Sequence, residues 1–355
     1  MALRSLKCTD FRCLESAELK LSAGNNLVYG ANASGKTSIL EAAAYLGRGR
    51  SFRGASTREL IRHDADAFVV FGRVDAGSRE ISLGVRNSSA GLEVHADGEK
   101  MSSAAALAEA LPLQVIDPDV HKLIAGGPEE RRRYVDWIAF HVEHGYLDHW
   151  RRFRRALKQR NAALRSGTDK RALSGWDREL SELGVVIDGV RRRMLDIVLP
   201  ALRETGELLL GSAVGFEYQR GWGAEKSLAE ALAGSTDRDL QMGSTQAGPH
   251  RADIRLRYDE RQAKKLVSRG QQKLLACALI LSASDVVQTV LERPLLLLVD
   301  DPAAELDADS LGRLMDCIAN LGCQVVATTL EPERTLFHEP PRLFHVEHGA
   351  IRQVE

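Results

Sequence analysis

Residues Gly30 to Ser38 read GANASGKTS, a glycine, four free positions, then Gly-Lys-Thr. This is the phosphate-loop pattern. Gly30 and Gly35 let the backbone curl around an anion with successive N–H groups pointing inward, and Ala31, Asn32, Ala33 and Ser34 supply the rest of that cradle. Lys36 reaches the outer phosphates of a nucleotide, Thr37 offers a hydroxyl to Mg²⁺, and Ser38 opens the helix behind them. Such a loop works only between a strand and a helix whose positive N-terminus faces the ligand. Asn26-Leu27-Val28-Tyr29 is an apolar run suited to a buried strand, and the segment from Ser38 to Leu46 is rich in helix formers and stops at Gly47.

A second stretch completes the chemistry. Leu295 to Val299 is an apolar strand that ends in Asp300-Asp301, the form of a Walker B element. Carboxylates at the end of a parallel strand sit where open α/β sheets place nucleotides, so Asp300 is assigned to the metal and Asp301 to polarising the attacking water. Between them in the chain, VSRGQQK (Val267–Lys273) precedes an apolar helical run. Ser268, Arg269, Gly270 and Gln271 form a further anion-binding corner with its own hydroxyl. One nucleotide does not need two phosphate corners on one chain, and a symmetric homodimer in which each corner completes the other subunit's site accounts for both.

Composition bounds the remaining choices. The chain has 355 residues, 44% of them hydrophobic, and a formal net charge of −1. That is enough for one large core or two ordinary ones. No run approaches the length needed to span a bilayer, and the start, MALRSLKCTDFRC, is too polar for a signal peptide, so a soluble cytoplasmic protein is expected. Five cysteines without a C-x-x-C pair leave neither a disulfide framework nor a zinc site.

Leu3 to Leu21 reads as two strands, and the runs between Ala67 and Met101, separated by Gly, Asp, Asn and Ser, read as antiparallel strands. Ser103 to Leu111 is helical in pattern, and PLQVI from Pro112 is strand-like. After Gly126-Gly127-Pro128 the character turns helical: Leu147, Trp150, Phe153, Leu157 and Leu164 recur at helical steps, and another helix is expected from Trp176 to about Glu207. Across Arg131 to Arg171 there are twelve Lys/Arg against four Asp/Glu, about +8 in a nearly neutral chain. Such a run is either a solvated helix face or a nucleic-acid surface. The predicted architecture is α/β: a discontinuous head (1–123 and 240–355) with a basic, mostly helical domain (124–239) inserted.

Taken together, these motifs resemble the ABC-type ATPase heads of the SMC superfamily, and within it the RecF family. The resemblance runs through DFR at Asp10–Arg12, GANASGKTS, GRGRSFRG from Gly47, PLQVIDPD from Pro112, GGPEERRRYVD from Gly126, GPHRADI from Gly248, VSRGQQK and VDDPAAELD from Val299. It implies ATP and Mg²⁺ as ligands, with Gln114 as the Q-loop residue near metal and water. Glu305 and Asp307 in AELD fall at the dimer seam, and Thr328 takes the switch position. It further implies an ATP-dependent homodimer that binds gapped duplex or single-strand/duplex junctions and loads RecA with RecO and RecR. Arg131, Arg132, Arg133, Arg151, Arg152, Arg154 and Arg155 are the candidate DNA contacts. Arg269 replaces the second glycine of the general signature, Asp301 is one methylene shorter than the usual Glu, and the switch is not His. These departures predict slow hydrolysis and a long-lived ATP-bound dimer, and the resemblance implies that the weak ATPase is stimulated by DNA. The alternatives are an ABC transporter ATPase subunit, against which the long basic insertion argues, a generic SMC-like ATPase, and a structural SMC-like tether, for which no run here offers the long heptad arms. A GTPase would need an Asn-Lys-x-Asp reader, and none is visible.

Overall fold

The computed structural model describes residues 1–77, 79–167, 170–259, 261–262 and 268–354. Val267 of the signature stretch, and Thr168 and Asp169 of the basic run, lie outside the described residues. The chain divides into two compact units, Met1–Val120 with Leu291–Glu355, and His121–Val290.

The first unit holds two six-stranded sheets. Strands β1 (Ala2–Phe11), β2 (Leu14–Lys20), β4 (Ala67–Asp75), β5 (Glu80–Ser88), β6 (Gly91–Ala96) and β7 (Glu99–Lys100) form an antiparallel sheet in the order β2-β1-β4-β5-β6-β7. The second sheet has the order β15-β14-β3-β13-β12-β8, from β3 (Asn25–Tyr29), β8 (Leu113–Ile116), β12 (Leu296–Asp300), β13 (Gln324–Thr329), β14 (Arg342–Glu347) and β15 (Ala350–Val354). Its five strands from β14 to β8 run parallel, and β15 closes the edge antiparallel. β12 and β13 are buried at every position, as strands covered on both faces must be, which is why they read as continuous apolar runs rather than alternating ones.

Helix α1 (Lys36–Arg48) packs against strands of both sheets. From Ser38 to Gly47 every residue is buried, so this helix has no solvent face. Ile39, Leu40, Tyr45 and Leu46 join Leu3, Leu6, Phe11, Phe68, Val70, Leu298, Val326 and Phe344 in one core. The small residues of the helix are what permit that closeness. Gly47 lies against Leu113 and the Leu111 carbonyl, and a Cβ there would meet Leu111 O at 2.9 Å and collide with the Leu113 side chain.

The remaining helices of the first unit before the insertion are the short α2 (Thr57–Leu60) and α3 (Ala105–Ala110). In the second unit α4 (Lys122–Ala125), α5 (Pro128–Val142), α6 (Tyr146–Arg165), α7 (Lys170–Leu210) and α8 (Leu228–Met242) accompany a small antiparallel sheet, β11-β10-β9, of β9 (Val214–Gln219), β10 (Asp253–Tyr258) and β11 (Arg261–Gln262). α7 runs for 41 residues with Pro200 inside it. The expected return to the head at residue 240 is corrected: the second unit continues to Val290, because β10 pairs with β9 from Asp253↔Gln219 to Tyr258↔Val214 and so belongs with the insertion. Ser227 and Glu230 form a reciprocal capping box that starts α8, and Gly243 ends it in the left-handed conformation.

The expectation that no segment is long and apolar enough to span a bilayer is corrected as well. The 23-residue helix Arg269–Leu291 is long and apolar enough by length and composition, yet 72% of its most apolar stretch is buried inside the protein, which is the mark of a core helix.

Replacing Gly47 by Ala drives a methyl into a backbone carbonyl that cannot swing aside. The variant is expected to lose about 1–3 kcal/mol of stability, read as a lowered thermal unfolding midpoint. An unchanged midpoint would show that α1 and β8 are less closely packed than described.

Candidate functional site: the edge of the parallel sheet

The carboxyl ends of the parallel strands come to one edge in register. Asp300 pairs with Thr328, Thr328 with Val28, Thr329 with Tyr29, and Val299 with Ile116, so Asp117, the residue that follows β8, comes to the same edge as Asp300. The loop leaving β3 begins at Gly30 with φ 154° and turns through Ala33 (φ 61°) and Gly35 (φ 114°) into α1. A Cβ on Gly30 would overlap the Val346 carbonyl, so the turn is closed to any larger residue. Ala33 tolerates a positive φ at a strain cost, and it stands exposed at the cleft.

The edge opens into a cleft of about 660 Å³ lined by Asn32, Ala33, Gly35, Lys36, Thr37 and Ser38 from the loop and by Asp300, Asp301, Thr328 and Thr329 from the strand ends. Lys36 Nζ donates to the carbonyls of Gly30 and Ala31 at 2.7 and 2.8 Å, which folds the ammonium back over the loop. Burial lowers its pKa, and the carboxylates of Asp300 and Asp301 partly restore it. Thr37 Oγ1 lies 3.1 and 3.0 Å from the two oxygens of Asp300. That pair, a hydroxyl and a carboxylate already in contact, is the donor set a hard cation takes when phosphates supply the rest of its shell. Among the described residues no cluster of three or more His, Cys, Asp or Glu forms a metal site independent of such a ligand.

Thr328 is 1% exposed. Its Oγ1 donates to Asp300 Oδ1 at 2.6 Å and accepts from the Asp301 backbone N–H at 3.0 Å. The residue expected at the switch position therefore holds the Walker B turn with both its hydrogen-bonding functions. That turn is strained: Asp301 has φ 47° and its side chain is exposed at the cleft.

Several expected site residues stand elsewhere. Gln114 is buried in mid-strand, opposite Leu297, and accepts from Arg48 Nη2 at 3.1 Å. It does not line the cleft; Asp117 and Asp119, from the turn that follows that strand, do so. Burial pushes Arg48 down to about 10, so it stays cationic at neutral pH and also binds the Leu113 carbonyl at 3.2 Å. Asp307 is exposed, but its carboxylate caps the helix Ala308–Asn320, accepting from Ser310 N–H (2.8 Å) and Ser310 Oγ (2.9 Å), and these bonds lower its pKa. Glu305, also exposed, has φ 66°.

In the second unit Ser268 begins the helix Arg269–Leu291 through another capping pair. Ser268 N–H donates to Gln271 Oε1 at 2.9 Å and Gln271 N–H to Ser268 Oγ at 3.3 Å. Ser268 and Arg269 are exposed, and Gly270 and Gln271 half-buried. The arginine run divides sharply. Arg131, expected at a DNA surface, is buried: it pairs with both oxygens of Asp253 (2.8 and 3.2 Å) and donates to the Gly126 carbonyl at 3.0 Å, which removes it from solvent. Arg132 is half-buried and donates to Ala252 O at 2.7 Å, and Arg133 pairs with Glu129 and Glu130 on its own helix. Arg151, Arg152, Arg154 and Arg155 are exposed along α6, followed by exposed Lys158, and Arg154 lies 4.7 Å over the Trp150 ring. His250 is no ligand candidate: its Nε2 meets the Thr245 carbonyl at 2.9 Å, and burial lowers it to about 4, so it is neutral.

A phosphate loop and a strand-end acidic pair on this pair of sheets, with a helix-capping serine corner in the second unit, define the ABC/SMC type of ATPase head. The family model "RecF/RecN/SMC N terminal domain" matches residues 2–351. The DNA replication and repair protein RecF of Thioalkalivibrio sulfidiphilus is 42% identical over 357 residues, covering 99% of both chains, and that of Shewanella pealeana is 38% identical with both chains covered in full. A solved structure of the recombination mediator protein RecF with ATP superposes with a TM-score of 0.91 at 25% identity, over 100% of this chain and 98% of that one. An Smc head bound to the C-terminal winged-helix domain of ScpA shares the fold at a TM-score of 0.61 and 17% identity. The chain belongs to the RecF family.

Thr328→Val keeps the shape of the side chain but leaves the Asp301 N–H without its acceptor and Asp300 short of a donor. About 1–3 kcal/mol of stability is expected to go, seen as a lower urea midpoint at unchanged slope. A midpoint equal to the parent's would mean that the hydroxyl does not hold the turn.

Proposed function

We propose that this chain is an ATP-dependent, DNA-binding recombination mediator whose dimer forms on ATP and comes apart after slow hydrolysis. The observation that carries the reading is the meeting of Lys36, Thr37, Asp300, Asp301 and Thr328 at one strand edge. The loop N–H groups, the start of α1 and Lys36 take the phosphates. Thr37 and Asp300 would hold Mg²⁺, which neutralises phosphate charge when bound. Asp301, at the cleft and in the turn that Thr328 pins through its backbone N–H, is the group placed to orient a water. With Thr328 engaged in holding Asp300 rather than presenting an imidazole, water activation is weak, which supports a long-lived ATP state.

Ser268 and Arg269, exposed at a helix start, supply the surface a second subunit's nucleotide meets, so ATP closes a two-fold dimer. The exposed row Arg151, Arg152, Arg154 and Arg155 suits the phosphate backbone rather than base edges, so DNA is bound with little sequence preference and steep salt dependence. The relatives' part in DNA replication and repair, and the RecFOR pathway named for the solved RecF–ATP structure, support RecO and RecR as partners; the outcome proposed for that assembly is RecA loading on gapped DNA.

Sedimentation with and without ATP and a gapped duplex tests the scheme. Lys36→Ala is expected to abolish ATP binding and dimerisation together, whereas Ser268→Arg keeps monomer ATP binding and prevents the dimer; normal dimers of the second variant would refute the shared site. For the DNA face, Arg155→Glu combined with Lys158→Glu should weaken duplex binding about tenfold or more and flatten the salt slope by about one per lost contact. Equal affinity and slope would move the DNA surface off α6.

A further inference from the structure

The phosphate-loop helix carries a charge where none is needed for packing. Glu41, one turn beyond Thr37, is fully buried, and a carboxylate out of water costs several kcal/mol unless it is paired and hydrogen-bonded. Both of its oxygens are occupied. Arg12, from the turn between β1 and β2, engages them through Nε and Nη2, the latter 2.9 Å from Oε1. Ser51 Oγ donates to Oε1 at 2.5 Å. Ser51 Oγ in turn accepts the backbone N–H groups of Arg53 (3.0 Å) and Ala55 (3.2 Å), which folds the segment after α1 back on itself.

One carboxylate thus ties two segments far apart in sequence to the rigid helix between the sheets. Both segments deliver side chains to the cleft: Arg12 and Cys13 from the first, Phe52 and Arg53 from the second. None of these four belongs to the phosphate loop or the strand-end acidic pair. The guanidinium of Arg12 is spent on Glu41 along one edge only, as a bidentate fork leaves it. Its side chain remains 22% exposed.

We propose that Glu41 is a positioning residue for the nucleotide cleft: it fixes Arg12 and the 51–55 segment at the lip, so that the cationic rim is in place before a nucleotide arrives. Preorganising the rim lowers the ordering cost paid on binding. The effect therefore falls on affinity for the polyphosphate and little on the step in which water attacks. The inference rests on the ATP reading given above.

Glu41→Gln keeps the side chain's size, removes the charge and turns a donor toward Arg12. ATP turnover by this variant should show a KM about tenfold higher, the size of one charge-assisted bond, with kcat within about twofold of the parent. Ser51→Ala cuts only the tie to the 51–55 segment and should raise KM about threefold, a fraction of the same bond; it also carries the test if Glu41→Gln does not fold. A purely structural role would lower the unfolding midpoint and leave KM unmoved. Unchanged KM in the folded variants, or a fall in kcat at constant KM, overturns the proposal. Parent protein that shows no saturable ATP turnover would overturn the ATP reading instead, and Lys36→Ala marks that baseline.

Discussion

The site exists because a helix without a wet side is clamped between two sheets. From Ser38 to Gly47 every residue of the phosphate-loop helix is covered, so its N-terminus, and with it the ring of N–H groups at Gly30–Ser38, cannot tilt or fray as a surface helix would. Rigidity of that kind is what an anion-binding loop needs, since donors that must be ordered on binding contribute less than donors already aimed. Burial on all sides explains the run of Ala42, Ala43 and Ala44: only small side chains let two sheets approach one helix at once. It also explains why Glu41 must be fully paired there, because low polarity makes an uncompensated carboxylate costly.

A second constraint links the sheet to the loop. Asp300 is gripped from two directions, by Thr37 at the start of the helix and by Thr328 on the neighbouring strand. Strand order makes this possible. β13 lies between β3 and β12, so its last residues stand between the loop strand and the acidic strand. A threonine at that point reaches the acid and the next backbone N–H together. The turn at Asp301, with its positive φ, is held in a conformation that most residues avoid, and Thr328 is what holds it.

The sequence made the head legible where the signal was local. GANASGKTS between an apolar strand and a helix, and an apolar run ending in Asp300-Asp301, each contain their own evidence, and the strands from Ala67 to Met101 were readable from the Gly, Asp, Asn and Ser breaks between their runs. Pairings across long separations were not. Nothing near residue 250 announces that Asp253–Tyr258 will lie against Val214–Gln219, so the end of the insertion was placed some fifty residues early. Arg131 and Arg133 look alike in an RRR run, but one meets Asp253, over a hundred residues on, and the other pairs on the surface with Glu129 and Glu130 of its own helix. Gln114 fell in the right motif, yet the register of β8 turns it toward Arg48. The start of α8 had a usable signal in Ser227-x-x-Glu230, masked by the glycines around it. The apolar helix Arg269–Leu291 shows the opposite limit, for composition alone does not separate a protein core from a lipid one.

The account stands on a nucleotide bound at the strand edge through a hydroxyl–carboxylate pair that accepts a metal. Calorimetric titration of ATP into the protein, with and without Mg²⁺, measures that most directly. One ATP per chain is predicted, with affinity falling about tenfold or more, about 1.4 kcal/mol, when Mg²⁺ is withdrawn. Absence of binding, or binding of equal strength without the metal, would contradict it.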